Sequence, residues 1–203
     1  MLDDAELNER HRERMQRRQA ARAKMLATKT EERGLLIVHT GAGKGKSTAA
    51  FGMVMRCIGH GMRVGIVQFV KGVWHTGERT VLARFPDLVT CRAMGEGFTW
   101  DTQDRVRDIA AAGAAWEAAK AMIADPSYHL VLLDELNIVL RYDYLPRDEV
   151  MAALKAKPHD LHVVATGRNA PAELIELADL VTEMNLVKHP FRAGVKAQKG
   201  IEF

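Results

Sequence analysis

The chain has 203 residues, 47% hydrophobic and 27% charged, which fits one soluble globular domain with a sizeable core. No apolar run approaches the roughly 20 residues needed to span a bilayer, and the N-terminus is too charged for a secretory signal, so the reading is a cytoplasmic protein without a membrane partner. A formal net charge of +3 is too mild to argue for nucleic acid, and Cys57 and Cys91 lack metal-like spacing and read as reduced structural thiols.

Residues 1–33 are polar, rich in Arg, Gln and Ala, and free of Gly and Pro. They read as a basic, helical or flexible arm, with eight Lys/Arg between Arg10 and Lys29 against the single acid Glu13. From Gly34 onward strand patterns alternate with helix patterns, the signature of a parallel sheet covered on both faces, so residues 34–203 are expected to form one α/β domain ending in a basic tail.

Residues 35–38 form the first predicted strand. The next stretch, T-G-A-G-K-G-K-S from Thr40 to Ser47, is a phosphate-binding loop with one irregular position. Glycines between a buried strand and a helix expose successive backbone N–H groups to a polyphosphate. Gly41, Ala42, Gly43, Lys44, Gly45, Lys46, Ser47 and Thr48 are the candidate nucleotide contacts. Lys46 would neutralise phosphate oxygens, and the Ser47 hydroxyl is suited to ligate Mg²⁺. The usual pattern puts glycine where this chain has Thr40, with its glycine one place later at Gly41.

A helical stripe follows at Ala49, Ala50, Met53, Val54, Cys57 and Ile58, closed by Gly59 and Gly61. Residues 63–70 and 88–94 read as strands, with a polar loop at 71–79 between them. In that loop His75 would need a partner to act as a base, and no partner is identifiable from the sequence. Residues 102–125 predict the longest internal helix, with Val106, Ile109, Ala110, Trp116 and Met122 as core contacts and Pro126 as its stop. Residues 130–133, 161–165 and 180–184 predict strands, and 148–157 and 172–178 short helices.

Asp134 and Glu135 end the apolar run H-L-V-L-L, where a carboxylate faces the ligand crevice of an open α/β sheet and can hold Mg²⁺. The pair also resembles the acids of hydrolytic phosphate-loop ATPases, in which the second acid prepares a water. Arg168, after H-V-V-A-T-G, is expected at the same crevice, with a surface arginine as the equal alternative. Phe98 and Trp100, after the turn Gly95-Glu96-Gly97, either plug the core or line a pocket for a bulky planar ligand, and the residues alone favour the plug.

Taken together, E-E-R-G-L-L-I-V-H-T-G-A-G-K-G-K-S-T-A-A-F-G, V-G-I-V-Q-F-V-K-G, G-E-R, G-F-T-W-D-T-Q, L-D-E-L, Y-D-Y-L-P and H-P-F-R-A-G-V-K-A-Q-K-G-I-E-F resemble the ATP:corrinoid adenosyltransferases that carry a phosphate-binding loop. The resemblance covers nearly the whole chain. It implies a RecA-like α/β fold with a mostly parallel sheet, a homodimer, and transfer of the 5′-deoxyadenosyl group of ATP to Co(I) of a corrinoid, such as cob(I)yrinic acid a,c-diamide. Carried over by position, Gly41 to Thr48 hold triphosphate, with Arg168 as a further candidate. Glu135 is the principal acid for Mg²⁺ (or Mn²⁺), supported by Asp134 and Ser47. Phe98 and Trp100 lie by the corrinoid, a reduced flavin or flavoprotein supplies electrons, and the arm folds over an active site as a lid. Ala42 and Ser47 depart from the commonest loop, where asparagine and threonine stand. Competing functions are a RecA-type ATPase and a nucleotide-gated binding protein with a basic arm.

Overall fold

A computed structural model describes residues 3–70, 76–95 and 104–202. The chain divides into two compact units, Met1–Glu32 and Arg33–Phe203. The first is built on one helix, α1 (Asp4–Leu26), none of whose residues is buried. Its start is fixed by a capping box: Glu6 N–H donates to Asp3 Oδ1 at 2.8 Å and Asp3 N–H to Glu6 Oε2 at 3.2 Å. Ion pairs one turn apart, Arg12 with Glu9 and Arg17 with Glu13, line its solvated face.

The second unit runs β1 (Leu36–Thr40), α2 (Lys46–Gly59), β2 (Val64–Gln68), α3 (Gly77–Leu82), β3 (Val89–Ala93), α4 (Arg105–Ala124), β4 (Leu130–Asp134), α5 (Leu136–Arg141), α6 (Arg147–Lys155), β5 (His162–Thr166), α7 (Ala172–Leu177) and β6 (Leu180–Glu183). A short 3₁₀ turn follows at Pro190–Ala193. The six strands form one sheet in the order β3-β2-β4-β5-β1-β6, and every neighbouring pair is parallel. The α/β expectation is therefore met.

Alternation along the strands divides the core between two faces. Ile37, Ile66, Leu132 and Val164 pack with Ala50, Phe51, Val54 and Ile58 of α2. Val38, Val67, Leu133 and Val163 point the other way, into a cluster with Trp116 and Met122 of α4, Leu140 of α5 and Leu154 of α6. Each of the larger side chains removed from water here contributes on the order of 1.5–3 kcal/mol. Cys57 and Cys91 are free and half-buried, and burial raises both thiol pKa values, which keeps them in the less reactive thiol form.

Two sequence expectations need correction. Residues 77–79, read as part of a polar loop, begin α3, which is anchored by buried Leu82 against the α2 face. Val106 is 79% exposed and Ala110 is exposed, whereas Ala112, Ala115, Trp116, Ala119, Met122 and Ile123 are buried. The buried set repeats every three or four residues, and continuing that stripe backwards passes beside Val106 and Ala110 and meets only half-buried Ile109.

The strand order places β4, β5 and β1 side by side, so Asp134, Thr166 and Thr40 end adjacent strands at the same edge. Ligands of open α/β sheets bind outside this carboxyl edge.

Candidate active site

β1 delivers the glycine loop, and Thr40 belongs to the strand more than to the loop. It is buried, and its Oγ1 accepts the N–H of Ala170 at 3.0 Å. The irregular position thus ties β1 to the segment after β5. Gly41 has φ 96°, and a Cβ there would stand 2.5 Å from Met184 O; at Gly43 it would stand 2.6 Å from the same oxygen. Gly43 N–H donates to Met184 O at 2.6 Å. The glycines are therefore required by the close approach of the chain leaving β6, which forms one wall of the loop. Ala42, Lys44 and Thr48 are exposed, and Lys44 pairs with Glu202 of the C-terminal tail.

Lys46 opens α2 and folds its side chain back over the loop, donating to Gly41 O at 2.9 Å and also to Gly43 O. Its pKa is lowered, first by burial and then by the positive charges of Arg168 and Lys44, while Glu135 pulls the other way. A polyanion brought to this cluster of Lys44, Lys46 and Arg168 relieves their repulsion. Arg168 is exposed just beyond the end of β5, and its positive charge is among the causes that lower the Lys46 pKa.

Across the crevice Asp134 is completely buried and accepts Ser47 Oγ at 2.7 Å, Thr166 Oγ1 at 2.8 Å and Gln68 Nε2 at 3.1 Å. Those donors offset much of the cost of burying a carboxylate. Glu135 takes a left-handed conformation, φ 66° and ψ 20°, and its N–H donates to Thr166 Oγ1 at 2.9 Å. Thr166 thus holds both acids at once.

Ser47 and Asp134 offer hard oxygen donors at one place, with Glu135 next in the chain, which fits a Mg²⁺ that takes few protein ligands and completes its shell with water and phosphate. Among the described residues no group of three or more His, Cys, Asp or Glu side chains could cage a metal on its own. Phe98, Trp100 and His75 lie outside the described residues.

Four polar residues of the site escaped the sequence reading. His39, Gln68, Asn137 and Thr166 are all nearly or fully buried at the crevice edge. Asn137 Nδ2 donates to Gly167 O at 2.9 Å and to His39 O at 3.5 Å, so it spans the ends of β5 and β1. The available signal was a polar residue inside an apolar run: H-T after L-L-I-V, Q within G-I-V-Q-F-V, and N within L-N-I-V-L.

A parallel sheet carrying a glycine loop, a lysine at the following helix start and a hydroxyl bonded to a buried acid on another strand defines a phosphate-loop nucleotide-binding protein. Residues 32–203 match the family described as ATP:corrinoid adenosyltransferase BtuR/CobO/CobP, and residues 1–26 match cob(I)alamin adenosyltransferase N terminal. The chain belongs to the ATP:corrinoid adenosyltransferase family. It is 57% identical over 203 residues to the corrinoid adenosyltransferase of Pseudomonas aeruginosa, covering 100% of both chains. The corrinoid adenosyltransferase of Sinorhizobium sp is 58% identical over 203 residues (99% of this chain, 93% of the relative), and that of Escherichia coli K12 is 50% identical over 196 residues (97% and 99%).

Proposed function

We propose that this corrinoid adenosyltransferase breaks the C5′–O bond of ATP and forms a bond from C5′ to the cobalt of the corrinoid substrate. Co(I) supplies the electron pair and inorganic triphosphate leaves with the pair from the broken bond, so no protein nucleophile is needed. The observation that carries this reading is Lys46 at the glycine loop, donating to Gly41 O and Gly43 O and within reach of the Arg168 charge, with the next residue, Ser47, bonded to Asp134. Lys46 and the loop N–H groups stabilise the charge growing on triphosphate, the state that a preorganised site favours most. Ser47, Asp134 and Glu135 would hold Mg²⁺, which supplies charge neutralisation of the phosphates when bound.

Complete cobalamin and an earlier intermediate such as cob(I)yrinic acid a,c-diamide are the two candidate corrinoids, with a reduced flavin or flavoprotein as the candidate electron donor. The resemblance to the family assigns Phe98 and Trp100 to the corrinoid, where apolar surroundings would ease reduction of Co(II). The arm of residues 1–33 acts as a lid that excludes water, and the working protein is a cytoplasmic homodimer.

An anaerobic assay with ATP, Mg²⁺, a reductant and several corrinoids tests the reading by following both the light-sensitive Co–C product and triphosphate. Intact triphosphate formed with the alkylated corrinoid is expected. ADP and phosphate without cobalt alkylation would instead mark a RecA-type ATPase.

A further inference from the structure

His39 is a buried imidazole, 3% exposed, on the side of β1 that otherwise presents apolar side chains to α2. An aliphatic residue would satisfy that environment without the cost of burying a polar ring. Its Nδ1 lies 3.2 Å from the carbonyl oxygen of Lys46. A carbonyl can only accept, so Nδ1 carries the proton and donates. This contact joins residues seven apart, from the last turn of strand before the glycine loop to the first residue of the helix after it. The backbone of His39 is itself fixed from behind, since its carbonyl accepts Gly167 N–H at 3.2 Å and Asn137 Nδ2 at 3.5 Å.

We infer that His39 is a positioning residue for nucleotide binding: a strut that sets the span between the two ends of the phosphate loop and holds the Lys46 main chain where its side chain meets triphosphate. The inference rests on the reading of residues 41–48 as the triphosphate cradle. Convergence of loop N–H groups on a phosphate depends on where the loop's ends are held, and the glycines cannot hold them. Met184 braces the middle of the loop and His39 braces its mouth. The strut acts on affinity for the polyphosphate and leaves the corrinoid side untouched.

Titration calorimetry of the full chain with tripolyphosphate and Mg²⁺ tests this, alongside steady-state KM values for ATP and corrinoid. His39→Leu is expected to weaken tripolyphosphate binding by roughly three- to tenfold, the equivalent of one hydrogen bond, and to raise KM for ATP in parallel with KM for corrinoid unchanged. His39→Asn, whose amide nitrogen mimics Nδ1, restores binding. His39→Gln, whose amide nitrogen mimics Nε2, does not. Binding by His39→Leu equal to wild type, or binding by a folded His39→Asn as weak as that of His39→Gln, overturns the strut. A wild-type chain that binds neither tripolyphosphate nor ATP overturns the cradle itself, a different failure visible before any variant is compared.

Discussion

Ser47 Oγ donates to Asp134 Oδ1 at 2.7 Å, linking residues 87 positions apart and bridging the start of α2 to the end of β4. The bond holds a hydroxyl and a carboxylate at the separation from which both can turn to one small cation. Ser47→Ala should cost about 1 kcal/mol of stability, because Asp134 keeps its bonds to Thr166 and Gln68. Its larger effect should be on Mg²⁺: the concentration giving half-maximal turnover rises, whereas Ser47→Thr stays near wild type. An unchanged Mg²⁺ titration in Ser47→Ala would remove Ser47 from the proposed metal set.

Lys46→Ala removes the charge nearest the loop carbonyls of Gly41 and Gly43. Losing one preorganised donor to a developing anion typically costs about 2.7–4 kcal/mol, so turnover should fall by roughly 10²–10³. Single-turnover kinetics at saturating ATP separates this from weakened binding. Near-normal turnover in the variant would contradict the role.

The architecture was legible because its signals are local: an apolar run ending in glycine, a helical stripe, and acids closing a second apolar run. Asp134 and Arg168 were expected at strand ends for that reason, whereas Thr40, read as the first residue of the loop, ends β1. What stayed hidden depends on contacts between segments distant in sequence. That Thr40 serves Ala170, that Gly41 and Gly43 are demanded by Met184, and that Thr166 holds both acids follow from the order of strands, which no local pattern encodes. Val106 failed for the opposite reason: its apolar character suggested core, but its phase on α4 lies off the buried stripe.

Gly41→Ala should damage the loop while sparing the fold. At φ 96° an alanine is strained, and its Cβ would press on Met184 O, a backbone atom fixed by its bond from Gly43. Far-UV circular dichroism should match wild type while ATP binding falls below detection in calorimetry. Retained affinity would mean that residues 184–185 move aside readily.

Trp100→Ala addresses the corrinoid side. If Trp100 assists reduction, turnover from Co(II) with a reductant should fall further than turnover from Co(I) prepared chemically beforehand. Equal losses on both routes would argue for simple packing.

Asp179 supplies a pH-dependent anchor for β1. Its carboxylate takes Arg33 Nη2 at 2.7 Å and the N–H of Leu36 at 2.7 Å, and these partners lower its pKa below the ordinary 3.8, Arg33 contributing most and burial opposing. A carboxylate with a depressed folded pKa stabilises the fold above its unfolded value, and that contribution is lost as pH falls through the folded value. Its side chain is 21% exposed, so solvent screening leaves about 1 kcal/mol at neutral pH. Asp179→Asn should therefore lower the urea midpoint at pH 7. The gap from wild type should narrow below pH 3.8, the ordinary value, and close once Asp179 is protonated in both states. A gap that persists undiminished in acid would show that Asp179 acts through shape and neutral hydrogen bonding instead of charge.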